Sequence, residues 1–259
     1  MTVKRWIGGF ILPGLAVPLA LVGWWWGASH AHPVAGALLP SPAKVWQTSI
    51  ELLHDKVLLP SLGLSIALVG YGFLTGALAG FVLGTAMGIS KTLERLYLPL
   101  FNGIRQVPLV AWVPLIVIWF GIGEISKIVL IALGASYPVA LNTFAGIRSV
   151  PRDFVDVANV FEYGRLGIWW RVLLPAALPS ILTGIRLSLS KSWTMVIGAE
   201  ALMTTVSSGI GNLMLEGGEQ GRMDIVIVSI IVVGVVGFVM NQAVRVIELR
   251  LLRWNKGLA

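Results

Sequence analysis

The sequence predicts an all-α integral membrane protein with six transmembrane helices, and three observations carry that reading. Of 259 residues, 56% are hydrophobic and only 12% are charged, whereas about a quarter of a soluble domain's residues carry charge. The apolar residues gather into continuous runs of roughly 20, the length a helix needs to cross a bilayer's hydrocarbon core. The basic residues divide unevenly between the segments joining those runs, as they do when positive charge is retained on the cytoplasmic side.

The first run, near Phe10–Ala28, follows MTVKRW. With the Ala35-Gly36-Ala37 triplet it reads either as a cleavable secretory signal or as a retained helix. Pro13, Pro18 and the interfacial tryptophans Trp24–Trp26 favour the retained helix. LLPSPAKVWQTSIELLHDK follows as an external helix lying along the membrane surface, with Ser41 as N-cap and Pro42 at its first position. The second run, Leu62–Ile89, places Gly72, Gly76, Gly80, Gly84 and Gly88 at every fourth residue. Such a stripe lets another helix approach closely in lipid. Packing inside the chain's own bundle and a subunit interface both remain open.

The third run, Leu96–Phe120, contains Arg105, Gln106, Pro108 and Pro114. It is read as a broken or bent helix whose irregular backbone is sheltered by neighbours. A fourth run covers Ile128–Gly146, and beyond it Arg148–Pro175 is the one long polar segment. Pro175 and Pro179 are expected to break any helix rising from Arg165 and to fix a turn where the chain re-enters the membrane. The segment then presents a short separate helix, either as an anchor on the bilayer surface or as a knob for a cytoplasmic partner. The fifth and sixth runs are Leu178–Met203 and Ile225–Val244. On the fifth, Arg186, Ser190, Trp193, Thr194 and Glu200 share one helical arc, and a polar face in lipid points inward. Ser190, Trp193 and Thr194 are therefore expected to line a translocation path, with internal packing as the alternative. Lys191 points off that face. Glu216 and Glu219 fall in the outer loop between the last two runs, as a solvated face or a contact for a binding protein.

With the N-terminus inside, twelve of the nineteen Lys and Arg residues fall on the cytoplasmic side. Four (Lys44, Lys56, Lys127 and Arg222) fall on the other, and three (Arg105, Arg186 and Lys191) lie within runs near their cytoplasmic ends. Both termini are expected in the cytoplasm. The formal charge of +7 does not indicate nucleic acid, because it forms no basic stripe interleaved with aromatics. The chain has no cysteine, which removes disulfides, thiolate metal sites and cysteine nucleophiles. His30, His32 and His54 show no metal-ligand spacing. No Gly-Lys dipeptide occurs, so a Walker-type phosphate loop is absent and any ATP is hydrolysed by another polypeptide. Two other function classes lack their signatures: no inverted repeat with mid-membrane carboxylates marks a secondary transporter, and only Glu200 is a candidate for an intramembrane enzyme.

The polar segment's DVANVFEYGRLGIWWRVLLPAALPSILTGIR resembles the signature loop of permease subunits of bacterial ATP-driven (ABC) importers. That family's pattern is Glu-Ala-Ala, three residues, Gly, nine residues, then Ile-x-Leu-Pro. Asp156 stands for the Glu, Val157 and Ala158 for the alanines, and Val172, Leu174 and Pro175 fit the closing triplet. Glu162 occupies the Gly position and Gly164 follows two residues later, which implies a turn shifted or differently built. RQVPLVAWVPLIVIWFGIGEISKIVLI, from Arg105, is similar to the third and fourth spans of the branch importing sulfonates, taurine and nitrate. With LLPSPAKVW, ALPSILTGIRLSL and the closing LRWN, the resemblance covers Leu38 to Asn255.

The resemblance implies the type I ABC importer permease fold, six-helical with both termini cytoplasmic, in the bacterial inner membrane. It implies a first helix and surface helix over residues 1–61, a permease core over 62–250 with a coupling loop at about 147–177, and a tail over 251–259. It implies a second permease copy forming a homodimer, two ATPase subunits and an extracytoplasmic substrate-binding protein. This chain would hold no cofactor, ATP and Mg being bound by the ATPase. Asp156, Ala158, Glu162, Gly164, Leu174 and Pro175 would couple to that ATPase: the helix before Leu174 would sit in its groove, and the proline turn would carry the movement to the fifth span. Arg171 and Arg186 would serve orientation. The cargo implied is a small organic anion, alkanesulfonate or taurine first. Nitrate, bicarbonate, an aromatic acid or a vitamin precursor is the alternative.

Overall fold

The computed structural model describes residues 4–30, 38–203 and 209–252, and every regular element among them is helical. His32, the Ala35-Gly36-Ala37 triplet, and Arg253, Trp254 and Asn255 of the LRWN segment with the tail beyond them lie outside the described residues. The elements are α1 (Lys4–His30), α2 (Pro42–His54), α3 (Leu58–Ile89), α4 (Lys91–Ile104), a 3₁₀ turn (Leu109–Trp112) and α5 (Val113–Phe120). They continue with α6 (Glu124–Arg148), α7 (Arg152–Val160), α8 (Arg165–Ile168), a π turn (Trp169–Leu173), α9 (Leu174–Leu202), α10 (Ile210–Glu219) and α11 (Met223–Leu251). Among the described residues four helical stretches are long and apolar enough to cross a bilayer: Leu58–Ile89, Glu124–Arg148, Arg165–Leu202 and Met223–Leu251. A fifth arises if α4 and the Leu109–Phe120 stretch, bent by 92° at their break, count as one interrupted span.

Contacts divide the described residues into two units, 62–212 with 233–252 and 4–61 with 213–232. The centre of the larger unit is α6. On one side it meets the glycine stripe of α3. A Cβ at Gly72 would lie 2.6 Å from Ile131, and one at Gly88 would lie 2.9 Å from Ile147. At Gly76, Gly80 and Gly84 a Cβ would strike the backbone of Ala132, Ser136 and Ala140. Residue numbers rise together on both helices, so α3 and α6 run parallel with their backbones touching. On the other side Ser180 Oγ donates to Asn142 O at 2.8 Å and Ser188 Oγ to Ala135 O at 2.7 Å. Here the numbers run oppositely, so α9 is antiparallel to α6. Interhelical hydrogen bonds of this kind contribute about 0.6 kcal/mol each in lipid. Their geometric effect is to fix the register between α6 and α9.

Local sequence explains the ends. Ser41 caps α2, accepting from the Lys44 amide at 3.3 Å, and Pro42 opens it, as expected. Ser90 caps α4 in the same way through the Leu93 amide at 3.3 Å. The break between α4 and the next turn falls at Arg105–Pro108, where a proline ends the hydrogen-bonded ladder.

Three expectations are corrected. Pro175 and Pro179 do not break the helix: Arg165–Leu202 is one continuous stretch. Pro175 lacks an amide hydrogen and its ring would crowd the Arg171 carbonyl in an α-turn; the wider π turn at Trp169–Leu173 accommodates both defects. The short separate helix is instead α7, which ends before Glu162. Finally, Glu216 and Glu219 stand exposed on α10 rather than in a loop.

In the smaller unit, α2 buries Val45, Thr48 and Leu52. Thr48 Oγ1 donates to Asp224 Oδ2 at 2.7 Å, and Arg222 reaches Asp224 at 2.8 Å and Glu51 at 3.9 Å. The hydrogen bond to Asp224 holds the Arg222 guanidinium above its ordinary value, partly opposed by burial. Trp25 Nε1 donates to Pro40 O at 3.0 Å. Gly221, at φ 70°, turns the chain between α10 and α11.

Candidate coupling surface and translocation face

The sequence of α7, RDFVDVANV, turns Ala158 inward at 3% exposure. Asp156 is exposed. Phe154, Val157, Val160 and Phe161 are left uncovered at 55, 55, 81 and 69% exposure. Three large apolar side chains on a nine-residue helix, with a fourth at its C-cap, form a surface that water does not favour. The helix closes with Glu162 N–H donating to Asn159 O at 2.9 Å and Tyr163 N–H to Ala158 O at 3.1 Å. These two bonds define a Schellman motif, and its left-handed residue is Glu162, at φ 57°. Gly164, by contrast, is extended (φ −63°, ψ 165°) and caps α8. The left-handed turn therefore stays at Glu162, although the glycine that would adopt it without strain stands two residues away.

Pro175 is exposed, whereas Leu174 packs partly buried against Ile147, Ala177 and Ile181. Pro175, Phe154, Val157, Arg171, Val172 and Ala176 line an open groove of about 610 Å³. Arg171 lies 4.9 Å above the Tyr163 ring, a cation–π contact that pins the turn after α7 to the π turn. Of the six coupling residues, Asp156, Ala158 and Glu162 thus share α7 and its cap. Leu174 and Pro175 begin α9, and Gly164 begins the short α8 between them.

On α9, Ser190, Trp193 and Thr194 do meet one cavity, of about 190 Å³ between α9 and α11. Ser190 and Thr194 are exposed. Trp193 is buried at 5% exposure; its Nε1 donates to Val233 O at 3.0 Å. Its indole fits where Gly237 has no side chain, since a Cβ there would lie 2.9 Å from Trp193 Cδ1. Lys191 lies outside the cavity, 5.8 Å above the Tyr137 ring. Arg186 and Asn241 also line the cavity, and Arg186 Nη1 reaches Glu248 Oε2 at 3.2 Å.

Sequence reasoning missed two groups. One is the Arg186–Glu248 pair with Asn241, which needs the α9–α11 register. The other is centred on Glu200, fully buried at the end of α9. Its carboxylate accepts from Ser65 Oγ at 2.7 Å and from the Gly211 amide at 2.7 Å, while Ser65 Oγ accepts from the Ile210 amide at 3.0 Å. Glu200 and Ser65 together satisfy two otherwise orphaned donors at the start of α10. Lys127, also fully buried, is attracted to Glu200. A wheel showed which face Glu200 occupies, but only the fold shows what meets it. Among the described residues no cluster of three or more His, Asp or Glu side chains is arranged to hold a metal.

A membrane-spanning helical bundle with an uncovered amphipathic helix and a polar seam between two spans has the features of a transport subunit built to work with a partner. The profile described as "Binding-protein-dependent transport system inner membrane component" matches residues 72–253, and the chain belongs to that family. It is 38% identical over 244 residues to the putative aliphatic sulfonates transport permease protein SsuC of Bacillus subtilis (strain 168), covering 94% of this chain and 88% of that one. The taurine transport system permease protein TauC of Escherichia coli (strain K12) is 33% identical, covering 89% and 85%. The nitrate import permease protein NrtB of Leptolyngbya laminosa is 34% identical, covering 81% and 77%. A chain of the inward-facing MetNI methionine ABC transporter shares the fold, with TM-score 0.58 and 21% identity over 74% of this chain and 97% of that one. This protein is thus an ABC-transporter permease of the branch that includes sulfonate, taurine and nitrate permeases.

Proposed function

We propose that the chain is the membrane-spanning permease subunit of an ATP-driven importer for a small organic anion, an alkanesulfonate or taurine. The observation that carries the substrate class is the 38% identity to the Bacillus subtilis aliphatic sulfonates permease over nearly the whole length of both chains. Nitrate and bicarbonate form the second reading, favoured by permeases for those ions at 34% and 30% identity. The chain crosses the inner membrane six times with both termini cytoplasmic, α1 and the α4–α5 pair supplying the first and third crossings. Two copies pair and receive cargo from an extracytoplasmic binding protein.

In this arrangement the uncovered face of α7 in each copy docks in a groove on one of two separate ATPase subunits. Burying Phe154, Val157, Val160 and Phe161 would each contribute about 1.5–3 kcal/mol. Leu174 and Pro175 carry the displacement into α9, where Ser190, Trp193 and Thr194 border the path; the bundle rocks as the ATPases close. This chain moves substrate and does no covalent chemistry.

The deciding experiment is expression with the neighbouring ATPase and binding protein, followed by purification and reconstitution into liposomes. An ATPase chain in stoichiometric complex, and uptake of a sulfonate dependent on ATP and binding protein, is the expected result. Uptake that persists without any ATPase chain would replace this reading with a self-sufficient transporter. Cysteines at positions 190 and 194 should react with polar thiol reagents in at least one nucleotide state.

A further inference from the structure

The cavity between α9 and α11 contains more polar chemistry than a packing seam requires. Arg186 lies fourteen residues before Glu200 on the same helix, about 21 Å along its axis. With Glu200 sealed at one end of α9, that spacing sets Arg186 toward the other end of the span, where its partner Glu248 lies three residues before the end of α11. Glu248 pairs with Arg186 at 3.2 Å, but the Arg186 side chain remains 42% exposed while Glu248 is only 15% exposed. Arg186 itself lines the cavity, together with the exposed Ser190, Thr194 and Asn241. The floor is the buried indole of Trp193, fixed to the Val233 carbonyl. The cavity thus joins a rigid apolar floor, two hydroxyls, one amide and a guanidinium whose donors exceed what one carboxylate accepts.

We infer that Arg186 is an anion contact on the translocation path, receiving the oxyanion group of the passing substrate in exchange for Glu248. A guanidinium presents a planar fork of donors that fits the paired oxygens of sulfonate, carboxylate or nitrate alike. Glu248 holds that fork in place while the path is empty, which keeps the cation from standing unpaired. Ser190 and Asn241 supply further donors, Thr194 Oγ1 already donating to the Ser190 carbonyl at 3.1 Å, so selectivity at this point is for small oxyanions as a class. Arg186 accordingly has a role beyond orientation. The inference rests on the importer reading above.

The test uses the complete importer, permease with ATPase and binding protein, in liposomes, and reads taurine or ethanesulfonate taken up per ATP hydrolysed. Arg186→Gln should lower that ratio at least tenfold, and Arg186→Lys, which retains charge without the fork, should recover part of it. The exchanged pair Arg186→Glu with Glu248→Arg restores an ion pair but moves the cation to α11; its ratio should stay at least tenfold down. If the exchanged pair transports like the parent, the two residues are structural partners only and the inference is overturned. It is equally overturned if Arg186→Gln keeps the parent's ratio. A parent complex that hydrolyses ATP yet accumulates neither sulfonate would instead overturn the substrate class proposed above, a separate outcome.

Discussion

The helices α6 and α7 follow one another in sequence with three residues between them, and they use apolar surface in opposite ways. α6 is enclosed within the chain, its backbone against the α3 glycines on one side and tied to α9 by serine hydroxyls on the other. α7 buries one alanine, and four large side chains on it and its C-cap stand 55–81% exposed. The first arrangement consumes its apolar surface to define a structure. The second keeps it in reserve. The contrast shows that hydrophobic content alone says little about role; what matters is whether small residues opposite it allow the chain to cover it.

Four experiments break or sharpen that contrast. Removing the Glu200 carboxylate as Glu200→Ala should have the largest effect. It strips one amide-capping and one hydroxyl contact from the packed region and removes one of the two carboxylates, Glu200 and Glu124, that attract the buried Lys127. The expected loss is about 3–5 kcal/mol, read from denaturant unfolding of the purified chain in detergent. Gly76→Leu should cost about 3 kcal/mol by driving a side chain into the Ala132 backbone. Gly70→Ala, where a Cβ meets nothing within 4 Å, should unfold like the parent. If both glycine variants behave alike, α3 and α6 are not in backbone contact.

In the uncovered region the expected signature is reversed. Val160→Asp combined with Phe161→Asp should leave unfolding within about 0.5 kcal/mol, because both side chains already face water. Co-purification of the ATPase should nevertheless fall about 100-fold, from some 3 kcal/mol of lost burial. The smallest effect is expected at Glu162. Glu162→Gly relieves a left-handed residue at the α7 cap and should stabilise the chain by about 0.5–1 kcal/mol, the conformational relief exceeding glycine's entropy loss. A loss of stability on this substitution would mean that the Glu162 side chain makes a contact worth more than the strain.

These two regions also differ in how far the sequence disclosed them. Four of the six expected spans, and a fifth if the bent α4–α5 pair counts as one, were legible from composition, and Ser41-Pro42 announced α2, because caps and apolar runs act over a few residues. The glycine stripe showed that α3 packs closely but not against what, since its partner lies some sixty residues away. At α7 the motif announced a helix but misplaced its end: the prolines look like breakers, yet one extra residue in the turn before Pro175 accommodates that ring, and Pro179 sits inside the continuing helix. The Glu162 turn was unreadable because residue type there favours glycine, and only the pair of amide bonds from Glu162 and Tyr163 reveals which residue turns left-handed. Glu200 and Arg186 were seen as a face, while their partners Ser65, Gly211 and Glu248 come from other helices.

The π turn at Trp169–Leu173 has one more consequence. Such a turn inserts a single residue into an otherwise α-helical rod, and one residue is about 100° of rotation. It therefore sets the angular phase between the exposed Leu166 at the base of the rod and the Ser190–Thr194 seam higher up. Deleting one residue there would leave a straight helix whose upper half pointed in the wrong direction.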